Sequence, residues 1–305
     1  MASAQTPPLL HQHSNSQPPL SQAIPLAAIW PQINLNIFVL DQSANPAPPI
    51  DPHSFQIFQD GLPRTIQSTA AADSPISLAL LIDTSGSTRR QRPQVVSAAS
   101  TLIDALPPGS EVSVVFFNDQ AYCDLPLTPV SSFNPSVWQY LEARGGTAFY
   151  DVLVATENYF IGHAGHPRRA LVAITDGGEN ASGVSLQQTV RALETPAAPL
   201  FFVLDTPTEP PANVSISPRQ SAREQGNLRT LAAAGGGLVF TARSENDLNA
   251  VAAKIAAVMR SQIAVSYRAS DADRDGRLHR LDVRLPVDGA KLRIYGQPAF
   301  YAPES

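Results

Sequence analysis

Four stretches of the chain, residues 78–82, 112–117, 170–174 and 200–204, are apolar on both faces, and residues 238–240 form a shorter fifth. Strands without alternation belong in a parallel sheet that is covered on both sides. The intervening segments carry helical spacing instead. Val95, Val96, Ala99, Leu102, Ile103 and Leu106 form one apolar stripe, and Leu186, Val190 and Leu193 a second. Leu248, Val251, Ala252, Ile255, Val258 and Met259 form a third, with Ser244 placed to cap it. Strand alternating with helix predicts right-handed crossovers and an α/β fold, a doubly wound and mostly parallel sheet.

The two ends read differently. Residues 33–40 and 54–58 alternate apolar and polar positions, Asp60-Gly61 signals a turn, and residues 64–68 are placed to return as a hairpin partner. Half-buried alternation resumes at 263–267, 278–285, 291–295 and 299–301. Neither end has strands enough for a stable sheet pair. Together they supply the strand count of an immunoglobulin-like sandwich. The expectation is a small discontinuous β-sandwich, residues 30–70 and 262–305, with the α/β domain, residues 71–261, inserted in it. Residues 1–40 hold no Asp, Glu, Lys or Arg, and ten of the 28 prolines fall within the first 60 positions. Residues 1–29 therefore read as a disordered Pro/Gln-rich tail.

In an open parallel sheet, ligands bind beyond the carboxyl ends of the strands. There the apolar runs lead into Asp83, Asn118-Asp119, Asp176 and Asp205. The first continues as Asp83-Thr84-Ser85-Gly86-Ser87, an alternation that lets three oxygens converge. Another ends Thr175-Asp176-Gly177-Gly178, and Gly145-Gly146-Thr147 precedes a helix carrying Phe149, Leu153 and Phe160. Two carboxylates and three hydroxyls make an all-oxygen set, which suits Mg²⁺, Mn²⁺ or Ca²⁺ better than zinc or copper. With so few charged ligands, such an ion keeps an open position that a carboxylate of another molecule can enter.

Asp83-x-Ser85-x-Ser87, Thr147 after paired glycines and Asp176 in Thr-Asp-Gly resemble the metal-ion-dependent adhesion site (MIDAS) of von Willebrand factor A (VWFA) domains, over about residues 75–260. The resemblance implies that Ser85, Ser87 and Thr147 ligate Mg²⁺ (or Mn²⁺/Ca²⁺) while Asp83 and Asp176 act mostly through water. It also implies a cell-adhesion type of binding module, whose protein partner offers an Asp or Glu to the metal. The flanks resemble the acidobacterial VWFA-related family, through Phe55, Ile57, Asp60, Gly61 and Pro63 and through the closing hairpin at 276–283.

Composition narrows the choice further. With 21 basic against 26 acidic residues, net −5, the chain lacks the basic surface of a nucleic-acid binder. No apolar run approaches the ~20 residues of a transmembrane segment. One cysteine, Cys123, excludes an internal disulfide and a multi-cysteine zinc site, and its place in residues 121–127 predicts a buried position on an edge strand. Asp83-Thr84 resembles an aspartic-protease loop, but Ser85 precedes Gly86 and the surroundings are βα. A phosphatase would want a second acid where Ser85 stands. Asp271, Asp273, Asp275 and Asp282 imitate a calcium loop, yet strand alternation follows where a helix is required, so a hairpin turn is expected. His163 and His166 lack a third ligand and read as an exposed loop. Asn180 and Asn213 each open a glycosylation sequon. The reading is a binding module and no enzyme. The alternatives are a structural scaffold with a vestigial metal site and an Asp-dependent, phosphatase-like hydrolase. Ala2-Ser3-Ala4-Gln5 resembles the end of a removed leader, so export to a bacterial periplasm or cell surface is expected, with cytoplasmic residence left open.

Overall fold

The structure, a computed structural model, describes residues 30–140, 144–195, 199–206, 218–286 and 292–304. The tail, its leader-like start and Asn213 lie outside the described residues. The chain first lays down β1 (Gln32–Leu40), β2 (Gln56–Gln59), β3 (Leu62–Arg64) and β4 (Ser68–Ala70). It then alternates through β5 (Ile76–Asp83), α1 (Arg92–Asp104), β6 (Glu111–Phe117), β7 (Ala121–Pro129), α2 (Phe149–His163), β8 (Arg168–Thr175), α3 (Leu186–Leu193), β9 (Leu200–Asp205), α4 (Pro218–Ala234), β10 (Val239–Thr241) and α5 (Leu248–Ser261). Four strands close it: β11 (Ile263–Arg268), β12 (Leu278–Arg284), β13 (Arg293–Gly296) and β14 (Ala299–Tyr301).

The central sheet runs β10-β9-β8-β5-β6-β7, parallel except for β7 at its edge. All eight residues of β5 are buried, as a strand covered on both faces requires. One face packs Leu80, Ile82 and Val172 against Leu102 of α1 and Ile255 of α5. The other packs Leu81, Phe117 and Leu171 against Phe160 of α2, Leu193 of α3 and Leu231 of α4.

The two chain ends do pair. One antiparallel sheet is β13-β1-β11-β4 and the other β14-β12-β2-β3, so each combines strands from both ends. Between them lies a single core of Ile33, Leu35, Ile37, Ile57, Val265, Tyr267 and Phe300. The opposite side of β1 faces the central sheet. Phe38 stacks on Tyr295 at 4.9 Å between centroids and lies 5.4 Å from Phe202. Buried Asn36 accepts hydrogen bonds from the Arg169 backbone N–H (3.1 Å) and from the Gln262 amide at its Oδ1.

Local details depart from the sequence pattern. The hairpin partner of β2 is β3, not residues 64–68, with Gln59 opposite Leu62. Asp60 and Gly61 both have positive φ, +50° and +80°, and make a two-residue turn, so the return begins at once. Ser68 to Ala70 instead crosses to the other sheet and pairs with β11. Ser244 makes no side-chain cap, because a 3-10 turn at Glu245–Asp247 separates it from α5.

His279 ties two turns of the sandwich together. Its Nδ1 lies 2.7 Å from Asp60 Oδ2 and its Nε2 3.1 Å from Asp275 Oδ1, while Phe300 stacks on the ring at 5.4 Å. Burial opposes the charged imidazole, but the hydrogen bonds and charges of Asp60 and Asp275 outweigh it and hold its pKa above the ordinary value. A raised histidine pKa contributes stability that is full below the ordinary value and fades as pH rises through the folded one. Buried Glu157, pushed up to about 8 by burial, adds a loss of the same sign. The informative quantity is therefore a difference. The thermal midpoint should fall more steeply between about pH 6 and pH 8.5 in wild type than in His279→Gln. Parallel curves would remove the histidine from the account.

Candidate metal centre

β5 delivers Asp83 to the rim of the sheet with 2% of its surface exposed. Its Oδ1 accepts the Ser85 backbone N–H (2.8 Å), and its Oδ2 accepts the Thr175 hydroxyl (2.7 Å). Thr84 turns away, donating both its N–H and its hydroxyl to the Phe117 carbonyl. The Thr88 hydroxyl donates back to the carbonyls of Asp83 and Ser85, closing the loop on itself. These bonds leave Ser85 Oγ and Ser87 Oγ 3.0 Å apart, the first buried and the second exposed. Two oxygens at right angles around an ion at about 2.1 Å are about 3.0 Å apart, so this spacing fits a small hard cation.

Two further loops bring up the remaining donors. Buried Thr147 donates its N–H to Asn180 Oδ1 (2.9 Å), and its carbonyl accepts from the N–H groups of Asn180 (3.0 Å) and Ala181 (3.1 Å). Its backbone is thus clamped from both directions. The Gly86 N–H donates to the Gly145 carbonyl, and the Arg144 N–H to the Thr84 carbonyl, which ties the Thr147 loop to the Ser85 loop. Asp176 follows β8, and its Oδ1 accepts the Gly178 N–H (3.1 Å). A Cβ added at Gly178 would stand 3.3 Å from Asp176 Oδ1 and 3.5 Å from Thr147 Oγ1. The glycine keeps open a space that both oxygens border.

Charge at this rim favours a cation. Burial, reinforced by the charge of Asp176, raises the pKa of Asp83. Asp205, buried at the end of β9, is pushed up to about 6 by burial, with Asp176 again opposing its ionisation. A divalent ion beside these acids would relieve both penalties. Among the described residues no group of three or more His, Cys, Asp or Glu could hold a metal. The donor set is instead two acids and three hydroxyls, all hard oxygens, and it fits Mg²⁺, Mn²⁺ or Ca²⁺ on chemistry and spacing.

Several supporting groups have no signal in the sequence. Thr175 fixes Asp83 from the end of the neighbouring strand β8. Asn180, noticed only as a sequon, spends its amide oxygen on Thr147. The calcium-like acids are engaged elsewhere: Asp273 pairs with Arg64, Asp275 with His279 and Asp282 with Arg284. His163 stacks on Tyr159 at 4.4 Å. Cys123 is buried on β7, its thiol pushed up to about 12 by burial.

A mostly parallel sheet with acids and hydroxyls converging from three tied loops at its carboxyl edge defines a Rossmann-like domain with a candidate cation site. The von Willebrand factor type A domain family matches residues 77–254, and the chain belongs to that family. Among solved structures, the chain is similar to von Willebrand factor type A from Catenulispora acidiphila, at 14% identity and a TM-score of 0.52, covering 90% of this chain and 75% of that one. It is also similar to the conserved hypothetical protein BatB from Bacteroides thetaiotaomicron, at 21% identity and a TM-score of 0.43, covering 61% of this chain and 100% of that one. A further similarity is to the pilus adhesin SpaC from Lactobacillus rhamnosus GG in its open conformation, at 11% identity and a TM-score of 0.49, covering 83% of this chain and 48% of the adhesin. At 14% identity the likeness to the first of these shows the fold alone. No curated protein matches the chain. Among the described residues, no helix is long and apolar enough to cross a membrane.

Proposed function

We propose that the chain is a divalent-cation-dependent protein-binding module of the adhesion type. The observation that supports the reading is the hydrogen bonding that ties together the three loops carrying Asp83, Ser85 and Ser87, then Thr147, then Asp176, with Ser85 Oγ and Ser87 Oγ 3.0 Å apart. Ser85, Ser87 and Thr147 would hold Mg²⁺, or Mn²⁺ or Ca²⁺, and Asp83 and Asp176 would act through water. Both oxygens of Asp83 already accept a hydrogen bond from the protein, an arrangement that orients a carboxylate and leaves it a poor nucleophile. This supports a binder over a hydrolase. The bound ion would supply an electrophilic position for an Asp or Glu of the partner protein. Display outside the cytoplasm, in the periplasm or on the cell surface, belongs to the same reading.

Calorimetric titration with Mn²⁺ tests it. Wild type should bind one equivalent, and a hundredfold excess over Kd should stabilise the fold by about 2.7 kcal/mol. Asp83→Ala should fold yet lose that gain. A scaffold with a vestigial site predicts no metal-dependent change, and equal titration curves for the two proteins would overturn the proposal.

A further inference from the structure

The five-residue set leaves out one of the acids that end the central strands. Asp205 closes β9, and its register places it opposite Thr175 of β8 on one side and Thr241 of β10 on the other. Paired residues of neighbouring strands point to the same face of a sheet. Asp83 stands one position beyond the Ile82–Ile174 pair, which puts it beside Thr175 in turn. One row therefore crosses the carboxyl edge on a single face: Asp83, Thr175, Asp205, Thr241. Its hydrogen bonds run in the same sense. Thr175 donates its hydroxyl to Asp83 Oδ2 (2.7 Å), and Thr241 donates its hydroxyl to Asp205 Oδ2 (3.2 Å). Neighbouring strands lie about 4.8 Å apart, so Asp205 is about 10 Å from Asp83. Asp176 follows Thr175, and its charge opposes the ionisation of both acids of the row.

The backbone fixes Asp205 in this row. Its carbonyl accepts the Ala242 N–H (3.0 Å), and the next residue, Thr206, donates its N–H to the Thr175 carbonyl (2.8 Å). The side chain is buried. The bond from Thr241 does not require a charge, since the amide oxygen of an asparagine would accept it as well. Burial and Asp176 both oppose the charge on Asp205, and they outweigh the favourable but weaker pull of Arg229. A buried acid next to a second acid thus costs the fold something that a neutral side chain of the same shape would not. A cation at the rim reverses that balance. The attraction is mutual: an ion that favours the ionised carboxylate is itself held more tightly by it.

From this row of alternating acids and hydroxyls, we propose that Asp205 is a further positioning residue of the metal centre, a carboxylate that does not touch the ion but strengthens its binding through charge. The proposal rests on the cation site put forward above. It places three carboxylates, those of Asp83, Asp176 and Asp205, around one ion, and so makes the rim favour ions of higher charge.

The experiment compares the full chain with its Asp205→Asn variant at neutral pH. Mn²⁺ binding is read by calorimetry, Tb³⁺ binding by luminescence, and thermal unfolding is followed in EDTA alongside. Asparagine keeps the shape of the side chain and the acceptor for Thr241, and removes only the charge. Mn²⁺ affinity should fall about tenfold. A Coulombic effect scales with the charge of the ion, so Tb³⁺ affinity should fall about thirtyfold. The thermal midpoint in EDTA should equal or exceed that of wild type, because a buried charge beside Asp176 has gone. Asp205→Glu restores the charge and should bind Mn²⁺ more tightly than Asp205→Asn. If Asp205→Asn binds Mn²⁺ as tightly as wild type, the proposal is overturned and the five-residue site still stands. Equal losses for Mn²⁺ and Tb³⁺, or a lower midpoint in EDTA, overturn it as well, since Asp205 would then serve the packing of β9 against β10. A wild type that binds neither ion removes the metal centre itself, and this proposal with it.

Discussion

Arg168→Met is expected to destabilise the folded protein by about 3–5 kcal/mol. The side chain is completely buried, and its guanidinium bonds to the carbonyls of Ser74, Met259 and Arg260. Burial pushes its pKa down to about 10, so it remains a cation at neutral pH. That cation lies against the last carbonyls of α5, where the helix dipole is negative. Methionine matches much of the volume but donates nothing, which leaves three carbonyls without this donor. Three parts of the fold meet there: the entry to β5, the start of β8 and the exit of α5 toward β11. Arg168→Lys should recover only part of the loss, because one ammonium cannot span carbonyls on two sides as a planar fork does. Urea unfolding of the three proteins gives the numbers. An unfolding free energy for Arg168→Met within about 0.5 kcal/mol of wild type would show that the contacts carry no net stability.

The hydrophobic pattern carried most of the architecture because the central strands are buried on both faces. Each of Leu78 to Ile82 is less than 1% exposed, so no polar residue interrupts the run. α4 was invisible for the opposite reason. Its anchors, Leu228, Leu231, Ala232 and Ala234, are confined to the second half of a helix whose first half is mostly polar. The β2–β3 hairpin was legible as a turn but not in register, since Pro63 suggests a break where it in fact occupies an edge strand. At the candidate site the donor atoms were legible because they sit in short local patterns after strands. Their supports were not. Thr175 reaches Asp83 across 92 positions and Asn180 reaches Thr147 across 33, and such partnerships leave no periodicity to detect. The same holds for His279, whose partner Asp60 is 219 positions away.

Two adjacent glycines allow the cation reading to be separated from fold stability. Gly178→Ala is expected to leave metal-free stability within about 1 kcal/mol of wild type, since Gly178 is not in the left-handed region and its N–H can still reach Asp176. The new methyl would nonetheless stand 3.3 Å from Asp176 Oδ1 and 3.5 Å from Thr147 Oγ1, inside the space those oxygens border. Mn²⁺ affinity should fall at least tenfold, and the metal-dependent rise in thermal midpoint with it. Gly177→Ala should do the reverse. Gly177 has φ +80°, and a Cβ there would meet the buried Leu228 Cδ1 at 2.9 Å, so strain and repacking fall on the core under α4. A loss of about 1–3 kcal/mol in metal-free stability is expected, with metal affinity largely retained in the molecules that fold. Calorimetric titration and metal-free thermal unfolding of both variants give four values. If Gly178→Ala binds Mn²⁺ as tightly as wild type, the ion does not occupy the space between Asp176 and Thr147. The five-residue site would then have to be abandoned, however well the variant folds.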